Sequence, residues 1–335
     1  MSAKDTADRG LLVVSGPEVR RALPMLDCID AVERAMRAFS RGEAIVPLRT
    51  IMALPGQRNF FGVMPGYLDD PRGLGAKILT VYPDNTKRGL PSHVGLVVLF
   101  EAELGIPVAV MDAAEITAIR TAAASAVATR ALAKSDASQL AILGTGEQAA
   151  THLEAMTQVR TLRKIRVWGR SPEKARQFAE KEGARWSLVV EVCKTAEAAV
   201  KDADIVCTVT AAREPILNGA WIARGTHVNL VGSSRLGARE ADDEVVARSR
   251  FFVDSRTSAR AEAGELKHAM DAGLIGEGHV LGEIGDVLNG SVSGRTSEHD
   301  LTVYKSLGIA AQDLAAAHQI YQRAQREKVG TRVPF

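Results

Sequence analysis

The stretch that decides the fold is Gln139-Leu-Ala-Ile-Leu-Gly-Thr-Gly-Glu-Gln-Ala149. An apolar run typical of a buried strand leads directly into a Gly-x-Gly-x-x-Ala loop and a helix-forming segment. Gly144 allows the tight turn, Gly146 lets the backbone approach a pyrophosphate, and Ala149 lets the helix pack closely on the strand. Because a helix N-terminus also attracts phosphate, this stretch, including Thr145, predicts a dinucleotide-binding loop.

The residues that follow repeat the same alternation of short apolar runs and amphipathic segments. Such alternation is the pattern of a doubly wound parallel α/β sheet, the Rossmann architecture. Capping residues mark two of the predicted helices, Ser171 before Pro172 and Thr195 before an Ala-rich segment. The six predicted strands are Leu140–Leu143, Ile165–Trp168, Ser187–Val192, Asp204–Val209, His227–Val231 and Phe251–Asp254.

The first part of the chain has a different pattern. A predicted helix over 28–40 is followed by six prolines between Pro47 and Pro91 that separate short segments, which favours an antiparallel meander. An Ala-rich helix is predicted from Ala113 to Ala133, and another over 306–321 that returns to the first domain. The sequence therefore predicts a second, α+β domain beside the nucleotide fold.

Composition narrows the classes of partner. The 335 residues exceed the usual length of a single domain, and 42 Lys and Arg against 40 Asp and Glu leave a formal charge of +2. We therefore expect neither a nucleic acid nor a membrane as partner, and a cytoplasmic location. Cys28, Cys193 and Cys207 stand among apolar neighbours, which predicts reduced core thiols and no metal site.

The end of the second predicted strand indicates the cofactor. NAD-binding folds of this type commonly place there an acidic residue that hydrogen-bonds the adenosine ribose. Here the sequence is Trp168-Gly-Arg170-Ser171, in which no carboxylate would repel a 2′-phosphate and both Arg170 and Ser171 can bind one. The sequence predicts NADP(H) as the preferred cofactor, with NAD(H) possible.

Three cations of the first domain stand in apolar surroundings: Arg49 after Pro47, Lys77 within a strand-like run, and Arg120 among small residues. Helical spacing brings no carboxylate to Arg120. Any one of them could be a rim cation whose stem alone is buried. Together they predict a site for a small substrate with a carboxylate, because Arg offers a bidentate fork and Lys a point charge.

Several linked motifs between about Pro47 and Asp313 resemble the ornithine cyclodeaminase/mu-crystallin family. They are Gly75-Ala-Lys77, Tyr82-Pro-Asp-Asn85, Thr117-Ala-Ile-Arg120-Thr121, Leu143-Gly-Thr-Gly146 with Gln148, and Val231-Gly-Ser-Ser-Arg235. The resemblance implies a Rossmann NAD(P)-binding domain, 126–308, inserted in an α+β dimerisation and substrate-binding domain, 1–125 completed by 309–335, in a homodimer. It further implies that Arg49, Lys77 and Arg120 surround the substrate carboxylate.

The resemblance also implies a set of cofactor contacts. Thr121 and Gln148 are expected beside the phosphates. Thr208, Val231 and Gly232, at the ends of two predicted strands, complete the expected cofactor-binding residues. Asp313 matches a family position near the active-site helix, but we assign it no chemistry at this stage.

One departure separates members of the family. Ornithine cyclodeaminases and the related alanine dehydrogenases carry an aspartate after the fifth Rossmann strand, whereas this chain has Ser234 there. Near neutral pH a serine cannot act as the general base that a carboxylate is. The version Gly232-Ser-Ser234-Arg235 is similar to mu-crystallin and the ketimine reductases, which reduce a preformed cyclic imine.

We therefore expect NADPH-dependent reduction of pyrroline-2-carboxylate or piperideine-2-carboxylate to the cyclic L-amino acid. In this hypothesis Arg49, Lys77 and Arg120 bind the carboxylate, Lys77 supplies or relays a proton to the imine nitrogen, and Ser234 hydrogen-bonds the substrate. Three alternatives remain open: an ornithine cyclodeaminase, an alanine dehydrogenase-like reductive amination, and a non-catalytic NADPH-binding protein of the crystallin type.

Overall fold

The structure, a computed structural model, describes residues 10–56 and 58–335. The strands of these residues, numbered β1 to β16 in chain order, are Leu11–Val14, Ala44–Ile45, Thr50–Ala53, Phe60–Leu68, Gly73–Val81, His93–Phe100, Pro107–Asp112, Gln139–Leu143, Lys164–Trp168, Val190–Val192, Ile205–Thr208, His227–Leu230, Arg250–Val253, Val280–Glu283, Thr302–Lys305 and Thr331–Val333. Their α-helices, numbered α1 to α11, are Gly16–Ala22, Met25–Ser40, Ala113–Leu132, Glu147–Val159, Pro172–Trp186, Ala196–Val200, Asp243–Ala247, Arg256–Glu262, Gly264–Asp271, Ile284–Leu288 and Ala310–Glu327.

The chain divides into two compact units. Residues up to Arg120 together with Ile309–Phe335 form the first unit, and Thr121–Gly308 form the second. The division falls within α3, five residues before the boundary predicted after residue 125. The mixed α/β fold with a parallel nucleotide-type sheet and a separate α+β part is confirmed.

The sheet of the first unit has the strand order β16-β1-β7-β6-β5-β4-β2, with β3 paired to β4. Strands β4, β5, β6 and β7 pair antiparallel in sequence, which confirms the meander predicted from the prolines. Strand β1 lies between β16 and β7 and pairs parallel with β7. The helix predicted over 28–40 is α2, which begins three residues earlier, at Met25.

Helix α11 packs against α2 and covers one face of this sheet at β4 and β5. A close approach at Gly75 makes this possible. A Cβ at Gly75 would overlap the Val98 carbonyl oxygen and lie 2.9 Å from Leu314 Cδ2 of α11. Because successive residues of a strand point to opposite faces, Lys77 lies on the same covered face as Gly75.

The sheet of the second unit is parallel throughout, in the order β10-β9-β8-β11-β12-β15-β13-β14. All six predicted strands are present, but the third is reduced to Val190–Val192. Ser187 ends α5 in the left-handed conformation, with φ 55°, so the chain is still turning at the predicted strand start. Two strands, β14 and β15, were missed because each is a run of four residues with only two apolar side chains.

Helix starts in this unit follow the capping prediction. The hydroxyls of Ser171 and Thr195 accept hydrogen bonds from the backbone N–H groups of Lys174 and Ala198. These caps satisfy backbone donors that the first turn of a helix leaves unpaired.

Two histidines of the second unit are fully buried. His152 Nδ1 lies 2.7 Å from the Gln148 carbonyl oxygen, and its Nε2 lies 2.9 Å from Ser125 Oγ. Because a carbonyl only accepts, Nδ1 carries the proton and Nε2 accepts from the serine. Burial lowers the pKa of His152 to about 4 and that of His227 to about 3, so both imidazoles are neutral at physiological pH.

The three cysteines are free thiols. Cys28 and Cys207 are buried as predicted, and burial raises the pKa of Cys207 to about 12. Cys193 is only half-buried. Within the part of the chain that the structure describes, no helix is both long and apolar enough to cross a bilayer.

Candidate functional site

Lys77 is a buried lysine of the first unit, with a side chain that is 3% exposed. Its Nζ lies 3.0 Å from Asp313 Oδ1 and 2.9 Å from Oδ2, and 3.4 Å from Thr117 Oγ1. Asp313 belongs to the first turn of α11, which the close approach at Gly75 brings down onto β5. The buried ammonium is therefore paired with a buried carboxylate.

Arg120 contacts the same carboxylate from α3. Its Nε donates to Asp313 Oδ1 at 2.8 Å, and its Nη1 donates to Gln312 Oε1 at 2.9 Å. Arg120, Gln312 and Asp313 are all buried. Because two side chains of α11 fix the guanidinium, its orientation is set before any ligand binds. We call Lys77, Arg120, Gln312 and Asp313 the cation cluster.

Arg49, the third predicted substrate cation, is half-buried just before β3. Its charge contributes to lowering the pKa of Lys77, so it lies within electrostatic reach of the cluster. The structure thus brings the three predicted cations of the first unit near one another.

The electrostatics of the cluster favour an ionised aspartate and a lysine that titrates near neutrality. Burial lowers the pKa of Lys77 to about 8; the Asp313 carboxylate opposes this shift, and the charges of Arg120 and Arg49 add to it. For Asp313, burial acts to raise the pKa, but the positive charges of Arg120 and Lys77 bring it below its usual value. A proton donor with a pKa near the working pH is suited to general acid catalysis.

In the second unit the predicted phosphate loop lies between β8 and α4. Gly144 has φ 135°, and a Cβ there would lie 2.8 Å from the Val209 carbonyl oxygen, so only glycine fits. Gly146 is the N-cap of α4, and the space around its missing Cβ is open. Ala149 is fully buried, as close helix–strand packing requires.

These residues fit the pyrophosphate of a dinucleotide. The buried Oε1 of Gln148 has no hydrogen-bond partner among the described residues. Among the described residues no side chain caps the first turn of α4 at Gly146, so a phosphate there would meet no competing cap. Thr145 stands half-buried in the loop, and Thr121 is buried in α3.

Residues at the carboxyl ends of β11 and β12 were also predicted to bind cofactor. Thr208 is fully buried, and its hydroxyl donates to Glu240 Oε2 at 2.7 Å. The Val231 N–H donates to the Thr208 carbonyl, and the exposed Gly232 donates its N–H to Glu240. Ser234 follows with an exposed side chain. This edge of a parallel sheet is where such folds bind ligands.

Arg170 and Ser171 follow the carboxyl end of β9. Arg170 is exposed, whereas Ser171 is half-buried and uses its hydroxyl as the α5 cap. A serine that accepts from the backbone keeps its own O–H as a donor for a phosphate oxygen.

Sequence reasoning missed the roles of two buried carboxylates, Asp313 and Glu240. Asp313 was noticed but given no role, although a carboxylate within Ala311-Gln-Asp-Leu-Ala-Ala-Ala317 on a buried helix needs a cationic partner. The apolar, Ala-rich sequence around Asp313 could therefore have indicated a buried ion pair. Glu240 has no comparable signal, since it lies in a polar stretch of sequence.

Comparisons with known proteins agree with this arrangement. The model of the ornithine cyclodeaminase/mu-crystallin family matches residues 11–328. The mouse (Mus musculus) ketimine reductase mu-crystallin is 38% identical over 296 residues, which are 88% of this chain and 90% of that protein.

Two solved structures are similar over nearly the whole chain. The Δ1-pyrroline-2-carboxylate reductase of Thermococcus litoralis, in complex with NADH and L-proline, has a TM-score of 0.93 and 38% identity, covering 96% of this chain and 100% of that one. An archaeal alanine dehydrogenase dimer with bound NAD has a TM-score of 0.91 and 31% identity, covering 97% and 99%. From the family match and these similarities, the chain belongs to the ornithine cyclodeaminase/mu-crystallin family.

Proposed function

We propose that this oxidoreductase reduces a cyclic ketimine, pyrroline-2-carboxylate or piperideine-2-carboxylate, to the cyclic L-amino acid with NADPH. The observation that carries the proposal is the buried pair of Lys77 and Asp313 beside Arg120, which offers a proton and a carboxylate-binding fork in one place. The named activities of the mouse and Thermococcus relatives support it.

Arg49 and Arg120 bind the substrate carboxylate. Arg120 is already oriented by Asp313 and Gln312, so little side-chain entropy is lost when it binds. The substrate carboxylate is matched by an excess of positive charge, because Lys77, Arg120 and the nearby Arg49 together outnumber the single negative charge of Asp313. A neutral ring without the carboxylate is predicted to bind poorly.

Lys77 holds the proton that the reaction requires. The hydride for the imine carbon would come from NADPH when it is bound. The imine nitrogen must be protonated as the carbon gains the hydride, and the Lys77 ammonium is the donor. One N–H bond of Lys77 breaks while a new N–H bond forms on the substrate nitrogen. The Lys77 side chain, now a neutral amine, then regains a proton from solvent.

Asp313 makes this proton available in a buried site. Without a counter-charge, burial would drive the lysine to its neutral form, which has no proton to give. With Asp313, the pKa of Lys77 is about 8, so most of the side chain is charged at neutral pH.

Ser234 occupies the position at which related deaminating enzymes carry an aspartate. A hydroxyl donates or accepts a hydrogen bond but does not remove a proton from an amine near neutral pH. Its proposed role is a hydrogen bond to the substrate carboxylate or imine. Reduction of a preformed imine needs no base at this place.

The test is NADPH oxidation with five- and six-membered cyclic imino acids, with pyruvate plus ammonia as the control pair. Turnover of a cyclic imine without added ammonia supports the proposal. Turnover of pyruvate that depends on ammonia, with no turnover of a cyclic imine, would assign reductive amination instead. Release of ammonia from L-ornithine with no net change in NADPH would assign a cyclodeaminase.

The preference for NADP(H) is part of the proposal. Arg170 and Ser171 at the end of β9 provide a cation and a hydroxyl for a 2′-phosphate, and no carboxylate stands between Trp168 and Ser171 to repel it. Both solved relatives contain the dinucleotide without that phosphate.

A homodimer is the proposed assembly, with the first unit as its dimerisation and substrate-binding domain and the second as its nucleotide-binding domain. The face of the first sheet opposite Lys77 is apolar and partly exposed; it includes Val63, Pro65, Ile78, Val94, Leu96 and Val98. Val94 and Leu96 are 50% and 48% exposed. Apolar area of this kind is typical of a surface that a partner covers, and the archaeal relative is a dimer.

A further inference from the structure

A chain of buried charged side chains crosses the carboxyl edge of the second sheet. Its members are Glu240, Glu265 and Lys305, and each is completely buried. Glu265 Oε1 accepts the Glu240 N–H at 3.1 Å, and its Oε2 lies 2.9 Å from Lys305 Nζ. The proposed imine chemistry uses none of the three.

Glu240 is bonded through both carboxylate oxygens. Oε1 accepts the N–H of Thr210 at 2.6 Å and its hydroxyl at 2.7 Å. Oε2 accepts the hydroxyl of Thr208 and the N–H of Gly232, both at 2.7 Å. Each oxygen therefore accepts one backbone donor and one hydroxyl.

These partners tie together the ends of neighbouring strands. Thr208 ends β11, and Gly232 follows the adjacent β12. Lys305 ends β15, which pairs with β12 on its other side. The approach is close, since a Cβ at Gly232 would lie 2.6 Å from Glu240 Oε1.

The segment that carries Ser234 starts and ends on this network. It begins at Gly232 and ends at Glu240, and within it Ser233 Oγ donates to the Ala238 carbonyl at 2.6 Å. Glu240 is thus the anchor of a loop whose middle residues are exposed.

Stability alone does not account for such a network. Burial of a charge carries a large desolvation cost, and well-packed apolar residues often stabilise a core as much as a buried ion pair does, or more. Burial acts to raise the pKa of Glu240, while the two threonine hydroxyls and the charge of Lys305 oppose it. Unlike an apolar side chain, the carboxylate can hold four hydrogen-bond donors, on the ends of two strands, in fixed positions.

We propose that Glu240 is a positioning residue for the nicotinamide half of the cofactor. The carboxyl edge near β11 and β12 is where a dinucleotide extends after its pyrophosphate has met the start of α4. By holding the backbone at 208–210 and 232–239, Glu240 shapes this surface before the cofactor arrives. The inference rests on dinucleotide binding and deepens the proposed function, but it is independent of which imine is reduced.

The experiment compares a whole dinucleotide with its adenosine half. Dissociation constants are measured by calorimetry for NADPH and 2′,5′-ADP, or for NADH and 5′-ADP if NADH binds more tightly. In Glu240→Gln one oxygen acceptor becomes an NH₂ group that faces existing donors. We expect the constant for the dinucleotide to rise about tenfold or more, with that for the adenosine half within about twofold.

Glu182→Gln is the matched control, because Glu182 is also a buried glutamate of the second unit but belongs to α5 and pairs with Lys181 and Arg185. It is expected to change neither constant. If Glu240→Gln does not fold, Thr210→Val removes one bond of Glu240 and is expected to weaken the dinucleotide selectively, by a smaller factor.

An equal loss of affinity for both ligands would assign Glu240 a purely structural role and overturn the proposal, as would unchanged affinity for the dinucleotide. Because no imine is present, failure of the proposed reaction leaves this measurement intact. Conversely, an active imine reductase with unchanged cofactor affinity in Glu240→Gln would reject only this inference.

Discussion

Lys77 Nζ lies 2.9 Å from Asp313 Oδ2, although the two residues are 236 positions apart in the chain. The contact joins a strand of the meander to the first turn of α11. A buried ion pair of this kind contributes little net stability, but removal of either partner leaves an uncompensated charge. The pair is therefore sensitive to substitution at both ends.

Lys77→Met is expected to slow imine reduction severely while NADPH binding is retained. Loss of a general acid typically lowers the rate about 10²- to 10⁴-fold. Steady-state kinetics and a fluorescence titration of NADPH measure the two effects. Lys87→Met, at an exposed lysine of the same unit, is the control and is expected to keep full activity. Full activity in Lys77→Met would remove the proposed proton donor.

The pH dependence of reduction follows from Lys77. Because the donor must be protonated, kcat/KM is expected to fall as the pH rises through about 8, the pKa of this lysine. In Asp313→Asn the charge that raises this pKa is absent, so the fall is expected to begin at a lower pH. A thermal melt of the variant checks that it is folded. A fall at the same pH in both proteins would contradict the assignment.

Arg170→Ala tests the choice of cofactor. Loss of one charged contact to the 2′-phosphate is expected to raise the dissociation constant of NADPH about tenfold and to leave that of NADH unchanged. Arg163→Ala is the control, since this exposed arginine precedes β9 at its other end. Equal effects on both cofactors would show that Arg170 does not recognise the phosphate.

Leu96→Glu tests the assembly. A carboxylate in the middle of the exposed apolar face of the first sheet is expected to convert a dimer into a monomer, as measured by light scattering after gel filtration. Leu104→Glu is the matched control, because Leu104 is also 48% exposed but lies in the turn after β6. A monomeric wild-type protein would contradict the proposed homodimer, and a dimer in Leu96→Glu would place the interface elsewhere.

Local patterns predicted the parallel sheet well because each of its elements has its own signal. The glycine loop at Gly144, the caps at Ser171 and Thr195, and the apolar runs all depend on neighbouring residues. The strand β15 was missed because Thr302-Val-Tyr-Lys305 has only two apolar residues, followed by a lysine. That lysine is compatible with a core only because Glu265 meets it there.

Residues of the candidate site likewise fall into those that local sequence predicts and those that depend on tertiary contacts. Arg49, Lys77 and Arg120 were predicted because cations in apolar sequence are unusual wherever they occur. Their common partner, Asp313, depends on how α11 returns to β5, which local sequence does not determine. The anchor Glu240 was missed for the same reason, since its four donors come from two different strand ends.

The covered face of the first sheet bears on how the chain folds during synthesis. Helix α11 belongs to the first unit, yet the ribosome makes it only after the whole of the second unit. Until then Lys77 and Arg120 have no Asp313, and the meander has no helix on its inner face. Domains generally fold as they emerge from the ribosome, so the second unit is expected to become native first. The part of the first unit that precedes it in the chain can complete its fold only after α11 has been made. A chaperone that holds exposed strands would act on residues 60–112 during that interval.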